Sequence, residues 1–304
     1  MRVSALAGEV ASTREADLLE GERKLKPEGV RVDKRITPIR SDLAAAHLKG
    51  QVDAPRYAQG ESASIAIGRV SLRAAPSDEA AQDSELLFGE SFTVYDMADG
   101  WAWGQAVRDS YVGYVPARAL AAPFATQGHV TALMAPLFPA PDLKRPVLDL
   151  LPLNAAVPVL EREGEYVRIH ADGLYLHHRH LEDTAPRDFV AVAERFVGVP
   201  YVWGGKTHAG LDCSGLIQTA LHAVSKDAPR DTDMQETTLG TAADIAAARR
   251  GDLIFWKGHV GVMLDETRLL HANAFHMQVA IEPLAEAVAR IQPLAGPVTS
   301  VKRL

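Results

Sequence analysis

The feature that most limits the fold is an internal repeat between residues 86 and 181. Leu86 and Phe88 recur as Leu151 and Leu153, and residues 89–95 recur as 154–160, both at an offset of 65. Further on, Tyr114-Val115-Pro116 and Leu120 recur as Tyr175-Leu176-His177 and Leu181 at an offset of 61, so a loop in the second copy is four residues shorter. Within each copy apolar and polar side chains alternate over short runs between polar turns, the period of a strand with one buried face. A duplication with units of about 60 residues predicts two small, strongly bent β-barrels in tandem.

The pattern changes after residue 186. Residues 188–197 place Phe189, Val192, Phe196 and Val197 on one side of a helix, which Gly198 ends and Pro200 keeps from resuming. A second helix follows Cys213, with apolar residues at 216, 217, 220, 221 and 224. Strands are then predicted at 252–256, 259–264, 268–272 and 277–281, with residues 265–267 turning between the second and third. Helices followed by an antiparallel meander make an α+β layout. The expected division is an N-terminal arm at 1–57, barrels at 58–124 and 125–184, and the α+β domain at 185–304. Residues 1–30 are charged, lack apolar periodicity and read as mobile. Ser41 or Asp42 is positioned to cap a short helix in an arm that packs on a later domain.

Bulk properties narrow the function. With 304 residues, 47% hydrophobic and 23% charged, the chain suits a globular protein of two or three domains. No apolar run is long enough to cross a bilayer, so no membrane partner is expected. A net charge of −7 offers no basic surface for nucleic acid. Glu9, Arg14, Glu15 and Asp17 interrupt the first apolar stretch, so no secretory core forms and the cytoplasm is the expected compartment. The single cysteine agrees with a reducing environment.

That cysteine carries the chemistry. A lone Cys is commonly a small buried hydrophobe, but Cys213 stands at a helix start, where free N–H groups and the dipole favour a thiolate nucleophile. Its base must come from elsewhere. His259 opens a predicted strand, and His271 lies on the next strand of the same hairpin. Neighbouring strands are about 5 Å apart, so both rings can serve one sulfur: His259 takes the thiol proton and His271 holds the His259 ring. The group His177, His178 and His180 reads as solvated surface rather than a zinc site, since no carboxylate pattern accompanies it. No phosphate-binding glycine loop is present, and no metal or organic cofactor is expected.

Residues 200–205 (Pro-Tyr-Val-Trp-Gly-Gly), 211–215 (Leu-Asp-Cys-Ser-Gly), 251–256 (Gly-Asp-Leu-Ile-Phe-Trp) and 258–262 (Gly-His-Val-Gly-Val), with His271 beyond, resemble the NlpC family of papain-like cell-wall peptidases. The repeated units resemble bacterial SH3-like domains. The resemblance implies a catalytic triad of Cys213, His259 and His271, with Tyr201 helping to stabilise the oxyanion. It implies that Asp212 and Ser214 shape the pocket beside the nucleophile, that Asp231 and Thr232 contact substrate, and that Trp203 lines a pocket wall. Trp203 is equally well read as a core tryptophan.

Two SH3-like units ahead of such a domain are similar to the subgroup that cleaves γ-D-glutamyl–diamino acid bonds in murein peptides. There, an acid and a tyrosine of the first unit bind the free amine of L-Ala, for which Glu90 and Tyr111 are the candidates here. The implied function is a recycling cysteine endopeptidase acting on murein peptides such as L-Ala-γ-D-Glu-diaminopimelate, with no nucleic-acid or membrane partner. Oligomeric state is left open. An exported hydrolase of polymeric wall and a non-catalytic wall-peptide binding protein are the alternatives.

Overall fold

The computed structural model describes residues 32–181 and 188–304. The mobile reading of residues 1–30 and the boundary expected at 184/185 lie outside the described residues. The first repeat unit consists of β1 (Glu61–Ile65), β2 (Arg69–Arg73), β3 (Gln82–Leu87), β4 (Ser91–Ala98), β5 (Trp101–Ala106), β6 (Val112–Pro116) and β7 (Leu120–Ala121). They pair in the order β3-β2-β6-β5-β4-β1-β7. Ile65, Leu72, Leu86, Phe92, Ala102 and Val115, from six of the seven strands, share one core. The sheet therefore curls round that core, but pairing leaves β3 and β7 as edges. It is an open sheet, not the closed barrel that alternation alone suggested.

The second unit is more fragmented. β8 (Gly128–His129) pairs with β11 (Ala156–Val157), β9 (Met134–Leu137) with β10 (Asp149–Pro152), and β12 (Glu161–Glu163), β13 (Tyr166–His170) and β14 (Leu174–His177) form a third small sheet. Pro158 stands where the first copy has Thr93. Proline gives no N–H to a ladder, so the counterpart of the long β4 is divided into β11 and β12. The units meet where Ala156 N–H donates to Phe88 O at 2.9 Å. Gly89 is needed there: it has φ +77°, and a Cβ would lie 1.8 Å from the Ala156 oxygen.

The arm has its own small cluster of Ile39, Ala44, Ala45, Leu48 and Val52. The helix expected after Ser41 or Asp42 does not form. Ala44–Ala45 pairs in parallel with Tyr57–Ala58, and Ala46–Leu48 is a 3₁₀ turn with no side-chain cap. The Asp42 carboxylate accepts from Arg40 at 2.8 and 2.9 Å, so an ion pair takes the place of a cap.

The C-terminal domain contains α1 (Phe189–Glu194), α2 (Cys213–Ala223), α3 (Thr232–Thr238), β15 (Thr241–Ala242), β16 (Leu253–Trp256), β17 (His259–Met263), β18 (Arg268–Asn273), β19 (Gln278–Pro283), α4 (Leu284–Ala295) and β20 (Ser300–Arg303). The six strands are antiparallel in the order β15-β20-β16-β17-β18-β19. Leu253, Phe255, Val260 and Val262 face α1 and α2, while Ile254, Trp256 and Met263 face α4. Cover on both faces explains why β16 reads as the unbroken apolar run Leu-Ile-Phe-Trp. Each fully buried side chain of this kind contributes about 1.5–3 kcal/mol. Helices packed on an antiparallel sheet are what the sequence predicts.

Candidate active site

Cys213 opens α2, and Asp212 caps the helix by accepting from Gly215 N–H at 2.7 Å. The sulfur is buried. It lies 3.7 Å from Thr232 Oγ1 and 4.0 Å from Gly258 O, and the N–H groups of Ser214 and Val260 also reach it. Gly258 and Val260 flank His259, so the turn into β17 wraps the sulfur. Burial pushes the thiol up to about 11, and the neighbouring Asp212 charge adds to this. The N–H groups and Thr232 pull the other way but do not win. The expected resting thiolate is thus corrected: removal from water outweighs the helix N-terminus, and Cys213 rests as a thiol.

The imidazoles form a chain. His259 Nε2 is 2.8 Å from His271 Nδ1, and His271 Nε2 is 2.6 Å from Glu282 Oε1. Arg290 also donates to that oxygen. The register explains the alignment. Val262 pairs with Leu270, which carried on sets Gly261 opposite His271; His271 itself pairs with Ala280. His259 and Glu282 are each two residues from those positions, so all three side chains share one face along a diagonal. Gly261 keeps the path open, because a Cβ there would come within 3.1 Å of His271 Cβ.

Protons can be assigned along the chain. Glu282, held by Arg290, is the acceptor, so His271 carries its proton on Nε2 and offers Nδ1 to His259 Nε2–H. This leaves His259 Nδ1 bare. Burial, with help from Arg290, lowers His259 to about 4. Burial, His259, Arg290 and His276 lower His271 to about 2. Both rings are neutral at pH 7, and the sulfur of Cys213 lies 4.0 Å from the Gly258 carbonyl that precedes His259.

Tyr201 is half-buried, and its hydroxyl is held well above the usual phenol range by burial and by the nearby Cys213 and Asp212. Its O–H has no acceptor among the described residues and remains available to a ligand.

The remaining expected residues divide into two sets. Asp212 and Ser214 are turned inward. Arg230, buried at 1% exposure, donates to Asp212 Oδ1 and Oδ2 at 2.9 and 2.6 Å, and to Ser214 Oγ at 3.0 Å. Gly204 N–H also donates to Asp212 at 2.8 Å. They build the floor behind the nucleophile instead of offering free polar groups to a pocket. Trp203 is 68% exposed, which excludes the core reading.

Glu90 is not with Tyr111. Its carboxylate is buried against Lys206 Nζ at 3.4 Å and accepts Leu87 N–H at 3.0 Å. The reason is local: Gly89 turns β3 into β4, and Glu90 closes that turn. Tyr111 instead donates to Asp231 Oδ2 at 3.0 Å, bridging the first repeat unit and the C-terminal domain. Asp83 faces the same place. Burial raises its pKa, with Asp231 also raising it and Arg230 lowering it. Its neighbours Gln82 and Ser84 bond Trp203 O and Arg230. Asp83, Arg230 and Glu282 are the residues that sequence reasoning missed.

Two groups of described residues are close enough to share a metal ion: Glu165, His177 and His178, and His271, His276 and Glu282. The first contradicts the expectation that no carboxylate accompanies the histidine cluster, because the β13–β14 pairing brings Glu165 within 2.8 Å of His178. A hydrogen bond between His178 and the exposed Glu165 accounts for that contact. The second group is held by the imidazole chain already described.

Comparison with known proteins adds identity. Residues 198–292 match the NlpC/P60 family, a family of cysteine peptidases, and residues 72–120 match the bacterial dipeptidyl-peptidase SH3 domain. The chain is 27% identical over 236 residues to the γ-D-glutamyl-L-lysine dipeptidyl-peptidase of Bacillus cereus, covering 66% of this chain and 70% of that protein. It is 31% identical to dipeptidyl-peptidase 6 of Lysinibacillus sphaericus, over 42% of this chain and 47% of that protein. The fold resembles the crystal structure of an NlpC/P60 family protein from Bacillus cereus, with a TM-score of 0.67 at 20% identity over 80% of this chain and 99% of that one. Residues 198–292 thus form an NlpC/P60 domain, joined to a bacterial SH3 domain at residues 72–120.

Proposed function

We propose that the chain is a cysteine endopeptidase that hydrolyses the γ-D-glutamyl–diamino acid bond of murein peptides bearing a free N-terminal L-Ala, as in wall-peptide recycling. Cell-wall peptidase activity is supported by the family match and the names of the relatives. The observation that carries the finer reading is the presence of Cys213 and the His259–His271–Glu282 chain together with a cluster of Asp83, Tyr111 and Asp231 where the first repeat unit meets the C-terminal domain. Asp231 lies close enough to Asp83 to raise its pKa, and two such carboxylates attract an ammonium group. Asp83 thereby takes the role expected of Glu90. The name of the Bacillus cereus relative supports a γ-D-glutamyl bond as the one cleaved.

The reaction is acyl transfer. His259 Nδ1 accepts the Cys213 proton as sulfur attacks the γ-carbonyl carbon. Negative charge on the carbonyl oxygen is met by Tyr201 O–H and by the Cys213 N–H at the start of α2. His259 then gives its proton to the leaving amine, the C–N bond breaks, and a thioester remains. Water, deprotonated by His259, releases the dipeptide acid and restores the thiol. Cytoplasmic action on free peptides is part of the proposal.

The test is incubation of L-Ala-γ-D-Glu-diaminopimelate and its lysine counterpart with the wild type and Cys213→Ala. Release of L-Ala-D-Glu by the wild type alone is expected. Equal turnover by both proteins ends the proposal, and release of fragments from intact sacculi with the tripeptide ignored moves the enzyme to the wall.

A further inference from the structure

The N-terminal arm reaches Asp231. Arg35 O accepts Val112 N–H at 2.7 Å, and Ile36 O accepts from Gln105 Nε2 at 2.9 Å, which ties the arm to strands β5 and β6 beside Tyr111. The Arg35 guanidinium then crosses to the C-terminal domain. Nη1 donates to Asp231 Oδ2 and to Asp233 Oδ1, both at 2.9 Å, and Nη2 donates to Asp233 Oδ2 at 2.7 Å. Asp33 holds the other side through Nε and Nη2, at 3.1 and 2.7 Å.

Arg35 and Tyr111 converge on the same oxygen of Asp231, while Oδ1 takes no hydrogen bond among the described residues. A carboxylate pinned through one oxygen by two donors cannot rotate, so the second oxygen points in a fixed direction. Asp231 is also the N-cap residue of α3, yet its side chain makes no capping bond, so its orientation is set from outside its own helix. We propose that Arg35 is a positioning residue of the arm that sets Asp231 Oδ1 as an acceptor for the substrate's terminal ammonium and so determines preference for peptides with a free N-terminus. This rests on the reading of the Asp83, Tyr111 and Asp231 cluster given under the proposed function.

The alternative is that Arg35 merely fastens the arm. A fastener lost would lower stability and act alike on all substrates. A positioning residue lost changes the choice between substrates, because an N-acetylated peptide brings no ammonium to Asp231.

The experiment compares kcat and KM for L-Ala-γ-D-Glu-diaminopimelate and its N-acetyl form, using the full-length wild type, Arg35→Ala, Arg35→Lys and Asp233→Asn. The expected result is a wild-type preference for the free amine that falls about tenfold in Arg35→Ala, through KM with kcat little changed. Arg35→Lys should recover part of it, and Asp233→Asn should lose part. If Arg35→Ala fails to fold, the ratio in Asp233→Asn, which loosens Arg35 without touching Asp231, decides the matter. An unchanged ratio in variants that fold overturns the role of Arg35 and leaves the reading of the Asp83, Tyr111 and Asp231 cluster standing. A wild type indifferent to N-acetylation overturns both.

Discussion

His271 Nε2 lies 2.6 Å from Glu282 Oε1, and this contact fixes which nitrogen of each active-site imidazole carries a proton. The contact is buried, with His271 wholly removed from solvent. It joins adjacent strands and is reinforced by Arg290, so the Cys-His-His arrangement continues into an anion and a cation. The comparable orienting carboxylate of a serine protease acts on the base ring directly. Here one imidazole stands between.

Replacing Glu282 with Ala should therefore reduce kcat without a matching change in KM. His271 would be free to place its proton on Nδ1, which confronts the His259 Nε2–H and frees that ring to turn. A loss on the order of 10²-fold in kcat is expected, below the roughly 10⁴-fold seen when the base's direct partner is altered. Steady-state kinetics on the tripeptide check this, and a kcat within twofold of wild type would remove Glu282 from the catalytic chain.

Arg290 supplies a prediction in pH. Its positive charge helps burial to keep His259 at about 4 and His271 at about 2. His259 must be neutral to accept a proton, so activity is present above its pKa and is lost as pH falls through it. In Arg290→Ala the opposing charge is gone and Glu282 acts unopposed, so both imidazoles become easier to protonate. The acid limb of kcat/KM should begin near pH 4 in the wild type and move toward neutrality in the variant. A limb that stays in place would show that Arg290 has no influence on the base.

Cys213 should behave as a buried thiol. Because burial pushes it up to about 11, alkylation by iodoacetamide in the absence of substrate should climb steadily across pH 6–10. A thiolate–imidazolium pair would instead give a plateau through neutral pH. Thiolate absorbance followed against pH, with Cys213→Ser as blank, separates these outcomes.

How much of this site can be read from sequence depends on whether distance along the chain suffices. His259 and His271 meet because a hairpin with a three-residue turn has few registers, and both lie on the face opposite Val260, Val262, Leu270 and Ala272. Glu282 is one of 39 acidic residues. It becomes visible when the β18–β19 register is known, since only then does alternation from Ala280 set it on the face of His271. Choosing between Asp83 and Glu90 is harder still, because both acids lie near the same turn. What separates them is packing between domains: β3 lies against Trp203 and Arg230, whereas the Gly89 turn carries Glu90 to Lys206. The repeat predicted two related β units but not their open sheets, since alternation records which face is buried and not how edges meet.

Tyr201→Phe isolates one hydrogen bond. The ring keeps its packing and loses a hydroxyl that has no acceptor among the described residues, so stability should change little. If the hydroxyl meets charge that develops during attack, kcat should fall about 10²–10³-fold with KM nearly constant. An unaltered kcat would leave the Cys213 N–H as the sole donor in the mechanism.

Arg230 tests the floor beneath the nucleophile through stability. Its guanidinium is buried with five recorded bonds to Ser84, Gly205, Asp212 and Ser214, and it joins the first SH3-type unit to the NlpC/P60 domain. Arg230→Met would leave the Asp212 carboxylate buried without its partner, which costs about 3–5 kcal/mol. Asp212→Asn keeps the helix cap and removes the charge, so adding it to Arg230→Met should return part of the loss. Differential scanning calorimetry of both single variants and the double variant measures the coupling. Strictly additive losses would mean that the ion pair contributes nothing beyond its separate hydrogen bonds, and that the floor is held by packing.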